Sequence, residues 1–410
     1  SLRGTGSIGN GSTDSPLILI DGIEGAINSL NPNDIESVSV LKDAASASIY
    51  GTRAAFGVIL ITTKSGKSGK VRVNYSGDVR FSTATQLPEM VNSLQFANYW
   101  NIASNNAGAG DQFNSETMTR IENYINGKYT DPSQPEYYGV VVNPSNNRYN
   151  LYGGSFANTN WFDEFYKKNV PSTQHNLSLS GGTDKVSWLI SVSLDFRYFP
   201  RGYGSAMETY SWSKINAQLA SWAKVEYSTK FMRSEYEKPQ YLTGLFFHNI
   251  ARRWPTCPTI DPNGHYPDGM EIAELEDGGT TATRNNQFTQ QLNFIFTPVK
   301  GWNIHLEGAM RNEFYKSKTN KFPVYSYYAD GTKWLRDSGY GSVASVSDYR
   351  SETDYFSVNA YTDYTHSLGM HNLKGILGVN FEKYGTDDVS ASGTNLITND
   401  FPYLSLTQKN

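Results

Sequence analysis

The side chains that most often carry out chemistry in proteins are sparse and scattered in this sequence. Its six histidines lie at positions 175, 248, 265, 305, 366 and 371. Their spacing matches no metal-ligand pattern, and the single cysteine, Cys257, excludes an internal disulfide and a cysteine-based metal site. No pair of carboxylates is marked by the pattern as facing a cleft. We therefore predict that the chain is not an enzyme and holds no metal or other cofactor.

Two short motifs have the spacing of ligand-binding loops but lack the required context. The glycines at 4, 6 and 9 have dinucleotide-fingerprint spacing, yet no predicted strand precedes them and no helix follows. The segment Asp261 to His265 begins like a calcium loop, but the later ligands and the closing Glu are wrongly placed. We interpret it as a β-turn. Since neither motif has its required context and no catalytic pattern is present, we predict a function of binding and passage rather than catalysis.

The composition limits the class of protein. The chain has 410 residues, of which 14% are aromatic and 18% charged, with a net charge of −4. The aromatic share is high and the charged share low for a soluble protein, and the negative charge argues against nucleic acid as a partner. No run of 18 apolar residues exists that would predict a transmembrane helix. A transmembrane β-barrel stays compatible, because its strands alternate apolar and polar residues.

Alternation of apolar and polar residues predicts nine long strands after residue 70. In segment 186–197, for example, apolar residues occupy most even positions and polar residues most odd positions, which is the period of a strand with one apolar face. The predicted strands lie near 71–81, 173–180, 185–198, 208–219, 223–236, 287–298, 302–315, 354–367 and 371–385.

The connections between these strands differ in length in a regular way. Tight turns are predicted near 181–184, 220–222, 299–301 and 368–370, whereas the segments 82–172 and 237–286 are very long. Short periplasmic turns and long extracellular loops are typical of outer-membrane β-barrels. A soluble β-sandwich is the alternative, and we favour it less because it has no reason to segregate loop length in this way.

The first seventy residues have a different pattern. Three β-rich runs, Leu17–Ile20, Ile35–Leu41 and Val58–Thr63, are bounded by turn-forming residues. Between the last two runs, 43–49 is rich in Ala and Ser and predicts a short helix with Asp43 as its N-cap. We predict two domains: residues 1–70 form a small mixed sheet with a crossover helix, and residues 71–410 form the barrel.

Six short blocks occur in a fixed order within the first 64 residues. They are 2–7 (LRGTGS), 16–22 (PLILIDG), 31–37 (NPNDIES), 40–44 (VLKDA), 50–55 (YGTRAA) and 57–64 (GVILITTK). Together they resemble the plug domain of TonB-dependent outer-membrane transporters of the SusC/RagA family. The segments 160–163 (NWFD) and 179–183 (LSGGT) resemble the barrel of that family more loosely.

This resemblance implies an all-β fold, an antiparallel transmembrane barrel with a small α+β plug in its lumen. Such barrels have about 22 strands, and an open edge in lipid would leave backbone groups unpaired. We therefore expect the chain to be a fragment, with the C-terminal part of the plug and the first nine strands.

The resemblance also implies import of oligosaccharides across the bacterial outer membrane. It implies a SusD-like lipoprotein as a lid and energy from the TonB–ExbB–ExbD complex. Alternatives that stay open are a RagA-type peptide importer, a TonB-dependent signal-transducing receptor and a surface adhesin without transport.

In relatives with a siderophore-type plug, substrate contacts the apical plug loops. Carried onto this chain, these loops are 7–10 and 24–28, with Gly9, Asn10, Glu24, Gly25 and Asn28 as candidate substrate contacts, unless they are only turn residues. The loop aromatics are further candidates: Trp161, Phe162, Tyr203, Tyr241, Phe246, Phe247 and Trp254. Arg53 is a candidate latch between plug and barrel, with a hydrogen bond to loop carbonyls as the alternative.

Overall fold

The computed structural model describes residues 15–42, 56–198, 204–241, 244–336 and 342–408, without side chains for 244–247. A four-stranded sheet comes first, and we call it the small sheet. Its strands are β1 (Leu17–Ile20), β2 (Ile23–Glu24), β3 (Ile35–Leu41) and β4 (Val58–Thr63), in the order β2-β1-β4-β3. Strand β1 runs parallel to β4, and β3 antiparallel to it. The predicted mixed sheet is confirmed, while the predicted helix at 43–49 lies outside the described residues.

A two-residue turn joins β1 to β2 and fixes one corner of the small sheet. Asp21 and Gly22 have φ values of 48° and 90°, which are those of a type I′ hairpin turn, for which Asp-Gly is a preferred pair. The Asp21 carboxylate accepts hydrogen bonds from the Thr63 hydroxyl and, at 2.9 Å, from the Thr63 N–H. The turn is therefore tied to the end of β4.

The remaining strands lie after residue 68. They are β5 (Gly69–Ser82), β6 (Val142–Asn143), β7 (Arg148–Tyr149), β8 (Val170–Gly182), β9 (Val186–Tyr198), β10 (Ser205–Ala220), β11 (Ala223–Pro239), β12 (Thr280–Val299), β13 (Trp302–Lys321), β14 (Tyr325–Tyr327), β15 (Lys333–Leu335), β16 (Ser345–Leu368), β17 (His371–Leu396) and β18 (Thr407–Gln408). Ten of them form one sheet, which we call the wall, in the order β18-β17-β16-β13-β12-β11-β10-β9-β8-β5. All neighbours in the wall are antiparallel.

The nine predicted long strands are confirmed, and several are longer than predicted. Strand β16 begins at Ser345 rather than near 354, and β12 begins at Thr280 rather than near 287. These added ends carry polar residues on both faces, so alternation could not reveal them. They are strands because each finds a neighbour to pair with, as Thr281 does with Thr319.

The two faces of the wall are inverted relative to a soluble sheet. On β9, Ser191 and Ser193 are each 1% exposed, whereas Ile190 is 45% and Val192 40% exposed. The polar face packs against the small sheet, and the apolar face points away from it. This is the arrangement of strands whose outer side contacts lipid.

Helices occur in the long connections. They are α1 (Ser93–Asn106), α2 (Ser115–Ile125), α3 (Trp161–Phe165), α4 (Gly244–Ala251) and α5 (Ile272–Asp277), with short 3-10 turns at Ile27–Ser29, Pro32–Asp34, Pro135–Tyr138, Tyr152–Gly154 and Leu404–Leu406. A capping box between Asn92 and Gln95 begins α1. In the part of the chain that the structure describes, no helix is both long and apolar enough to span a membrane.

The described parts of segments 83–169, 240–279 and 322–344 pack together, and we call them the loop layer. One apolar cluster joins α3 to the second segment through Trp161, Ile250, Cys257 and Met270. A second cluster joins α1, α2 and Phe156. The loop layer therefore has a core of its own.

Candidate functional site

The small sheet contacts the wall through a small apolar cluster of Ile23, Ala309 and Tyr355 and through polar groups, which begin at the Asp21 turn. Lys214 of β10 places its Nζ 3.4 Å from Asp21 Oδ2, and both side chains are 11% exposed. Gln291 of β12 donates from Nε2 to the Asp21 carbonyl at 2.8 Å. A buried ion pair needs such additional hydrogen bonds, because attraction alone rarely offsets the loss of hydration.

Two more cations of the wall hold the segment after β2. Lys230 of β11 is 6% exposed, and its Nζ donates to Ser29 Oγ at 2.9 Å. Arg311 of β13 donates from Nη1 to the Glu24 carbonyl at 2.7 Å, and its guanidinium lies 4.9 Å from the Tyr355 ring centre. The wall therefore binds a backbone carbonyl and a hydroxyl group here. These bonds do not involve the side chain at position 24.

A buried carboxyl marks the opposite side of the small sheet. Asp34 is 4% exposed and accepts a hydrogen bond from Ser191 Oγ at 2.6 Å. Burial raises the pKa of the Asp34 carboxyl, and the Ser191 bond and the charge of Lys64 offset this only in part. The ionised form of Asp34 is thus disfavoured at this contact.

Little space separates the small sheet from the wall near the Asp21 turn. The cavity there has a volume of about 20 Å³ and is lined by Ile23, Gly25, Trp212 and Lys230, among others. That is about the space of a single water molecule. The contact is therefore closely fitted, and each of its polar bonds can be exchanged for a bond to water.

A second candidate site lies in the loop layer. A cavity of about 520 Å³ is lined by Phe96, Trp100, Tyr152 and Trp254 together with the buried pair Arg253–Glu271. The Trp254 ring lies 4.8 Å from Trp100 and 5.1 Å from Phe96. Aromatic faces beside a few fixed polar groups are typical of small-molecule sites.

Comparison with known proteins gives a family match for the first part of the chain and similar proteins for most of its length. A family model, the TonB-dependent Receptor Plug Domain, matches residues 1–58, the region of the small sheet. The TonB-dependent receptor P39 of Formosa agariphila is 41% identical over 404 residues, covering 93% of this chain and 33% of its own length. The TonB-dependent receptor SusC of Bacteroides thetaiotaomicron is 27% identical, covering 92% of this chain and 36% of its own length.

On these matches, the chain is similar to TonB-dependent receptors of the SusC/RagA type. It spans about a third of the length of the curated relatives that it matches. The structure of the RagAB peptide transporter superposes with a TM-score of 0.74 at 21% identity, covering 99% of this chain and 45% of that one. That likeness supports the fold of the receptor, a plug packed inside a barrel wall.

The receptor structure brings three predicted contact residues together. Glu24, Gly25 and Asn28 lie on one segment that runs from the end of β2 into the turn at 27–29, and the Glu24 and Asn28 side chains are exposed. Tyr210 donates to the Asn28 carbonyl at 3.4 Å. Measured along the strands, Tyr210 lies farther from the short turns than Lys214 does, so this segment is the end of the described plug nearest the long loops.

The other predicted site residues divide into two groups. Gly9, Asn10 and Arg53 lie outside the described residues. Trp161 is only 1% exposed, and its indole N–H donates to the Trp254 carbonyl at 3.0 Å. We therefore remove Trp161 from the substrate candidates of the receptor, because its ring fills the core of the loop layer.

The other aromatic residues predicted to contact substrate from the loops lie in different surroundings. Phe162 is buried at 8% exposure, and Tyr241 lies on the wall side beside Lys321. Trp254 lines the loop-layer cavity, as described above, while Tyr203 and the side chains of Phe246 and Phe247 lie outside what the structure describes.

The wall cations that hold the plug were not predicted from the sequence. Lys214, Lys230 and Arg311 occupy the polar face of strands whose other face is apolar. A Lys or Arg in the middle of the polar face of a strand could have indicated this contact. Such a side chain must reach an anion or a carbonyl within the lumen.

Proposed function

We propose that this receptor imports oligosaccharides across the bacterial outer membrane, with energy from the TonB–ExbB–ExbD complex. The observation that carries the proposal is the plug–wall contact, in which a small sheet is held by bonds from Lys214, Lys230 and Arg311 that water can replace. A plug held in this way can leave the lumen without exposing a large apolar core. Passage of a solute requires such a movement, because a plug that fills the lumen of a barrel leaves no open path.

Further partners follow from the same family likeness. A SusD-like surface lipoprotein would act as the lid over the long loops, and the loop layer gives it a preformed surface with its own core. The barrel wall would lie in the outer membrane with its exposed apolar face toward lipid.

The plug segment with Glu24, Gly25 and Asn28, joined by Gly9 and Asn10, is the proposed substrate contact. Replacing Asn10, Glu24 and Asn28 together by Ala should reduce uptake tenfold or more, since each lost hydrogen bond contributes about 0.5–1.5 kcal/mol. The matched control replaces Asn106, Glu122 and Asn126, exposed residues of the same types in the loop layer. Normal uptake by the first variant would place the substrate elsewhere, for which the cavity beside Trp254 is the next candidate.

The substrate class is tested by deleting the gene and restoring it with the full-length receptor. Growth is measured on oligosaccharides and, separately, on peptides as the sole nutrient. Loss of growth on oligosaccharides alone supports the proposal, and loss on peptides alone supports the alternative of a peptide importer. Unchanged growth on both, with altered transcription of neighbouring genes, would indicate a signal-transducing receptor.

A further inference from the structure

Three basic side chains form a row across three neighbouring strands of the wall. Arg284 of β12 is the register partner of Lys316 of β13, and Lys316 is the partner of Arg350 of β16. All three side chains are exposed. Like charges directly opposite one another destabilise a sheet, so this row is unfavourable unless an anion lies between them.

The row lies on the outer face of the wall. On β12, β13 and β16 the buried positions Gln287, Ala309 and Ser357 face the plug. The row has the opposite parity, which it shares with the exposed residues Phe288, Met310 and Phe356. Alternation along a strand therefore directs all three cations away from the lumen.

Carboxylates on the same face neutralise the row only at one end. Glu235 of β11 contacts Arg284 Nε at 2.5 Å. Glu352 and Asp348 also lie on this face of β16, yet within the described ranges no ion pair to Lys316 or Arg350 is formed. The centre of the row is therefore left to an external anion.

The height of the row matches the headgroup region of a membrane. Strand β13 begins at Trp302, directly after a short turn. Lys316 lies 14 residues farther along this strand. A strand tilted by about 40° rises about 2.5 Å per residue, which places the row about 35 Å above that turn. Because the apolar band of such a barrel is about 25 Å tall, the row lies just above it, near the long loops.

A cavity of about 520 Å³ adjoins the row on the same face. Its lining combines Arg284, Lys316 and Lys318 with the carboxylates of Glu235 and Glu237 and with the apolar side chains of Phe196 and Met207. A ligand that fits it has an anionic part for the cations and an apolar part for the Phe and Met side chains.

We propose that this surface binds the phosphate groups of an anionic lipid of the outer leaflet, with an acyl chain against the apolar side of the cavity. This inference rests on the proposed placement in an outer membrane. Loss of one or two basic residues near an anionic membrane surface weakens binding about tenfold.

The test is native mass spectrometry of the full-length receptor in mild detergent, titrated with a glycolipid that carries two phosphates. The variant Lys316→Gln/Arg350→Gln should bind at least tenfold more weakly, which corresponds to ~1.4 kcal/mol or more. The control Lys185→Gln/Lys300→Gln removes two cations at the short turns and should bind normally. Lys316→Arg keeps the charge and should also bind normally.

Equal binding by the row variant and the unmodified receptor would overturn the inference, as would equal binding of the same lipid without its phosphates. Heat-modifiable migration on gels confirms that each variant is folded. Fractionation of cells separates the two proposals. A receptor absent from the outer membrane contradicts the proposed function, whereas a receptor that is present there and binds lipid without the row contradicts only this inference.

Discussion

The plug–wall contact and the loop layer both bury charged side chains, but they hold them differently. In the loop layer, Arg336 is 5% exposed and all five of its N–H groups are bonded, to Ser326, Met270, Glu274, Tyr266 and Pro267. At the plug, Lys214 forms one ion pair at 3.4 Å. The Arg336–Glu274 pair lies beside an apolar cluster that includes Met270, Ile272 and Leu275, whereas the Lys214–Asp21 pair bridges two sheets.

This difference suggests separate mechanical roles. A charge that is fully bonded inside an apolar cluster can be released only by unfolding its surroundings. A charge that bridges two separately folded units can be released by moving one of them, with water as the replacement partner. We infer that the loop layer is fixed and the plug is the movable part.

The largest expected effect is in the loop layer. Arg336→Ala leaves Glu274, which is 3% exposed, without its cation, and removing one partner of a buried pair costs about 3–5 kcal/mol. Burial already raises the pKa of Glu274 against the influence of Arg336. Hydrogen exchange in the described part of 240–279 should therefore accelerate strongly. The control Arg252→Ala removes an exposed arginine of the same segment and should leave the exchange rate unchanged. Slow exchange in the Arg336 variant would show that the layer does not depend on this pair.

A smaller effect is expected from breaking the plug contact. Lys214→Met should cost about 1–3 kcal/mol, because Asp21 keeps its two bonds from Thr63. In urea the plug should be released at a lower concentration, measured by protease cleavage within 15–42, while the barrel keeps its heat-modifiable migration. Asp21→Asn/Lys214→Met should recover part of the loss. If both variants lose barrel and plug together, the two units do not separate.

The smallest expected effect concerns pH. Because the pKa of Asp34 is raised above its ordinary value of 3.8, its protonated form favours the docked plug. That stabilisation is fully present below about pH 4 and is lost as the pH rises through the raised pKa. Asp34→Asn should remove this part of the pH dependence and hold the plug slightly more firmly at neutral pH, as judged by the same urea assay. A variant that is released more easily at pH 7 would show that the ionised carboxylate is needed.

Sequence patterns predicted the strands of the wall better than the contacts between the wall and the rest of the chain. Strands such as β9 and β11 alternate clearly, because one face meets an apolar surrounding and the other a polar one. The polar ends of β12 and β16 depend on a neighbouring strand, which no local pattern records. Helix α1 carried a visible capping box at Asn92 and Gln95, which the assignment of 82–172 as loop overlooked.

The candidate site was predicted only on its plug side. Glu24, Gly25 and Asn28 were carried over from the apical plug loops of relatives, aligned on the predicted strand that ends before them. Their partners Arg311 and Tyr210 lie more than 180 residues away along the chain, so their approach depends on how the plug sits in the barrel. Trp161 was chosen as a loop aromatic, and the packing of the loop layer makes it a core residue.

The most direct test of a movable plug in a fixed wall is a reversible tether. Asp34→Cys/Ser191→Cys replaces a plug–wall pair whose side-chain oxygens lie 2.6 Å apart. Thr281→Cys/Thr319→Cys replaces a register pair within the wall, with hydroxyls 3.2 Å apart. Cys257 is fully buried and should not interfere. Uptake of labelled oligosaccharide should stop when the first pair is oxidised, return on reduction, and be unaffected by the second pair. Full uptake through a receptor whose plug is verifiably tethered would show that import does not require the plug to move relative to the wall.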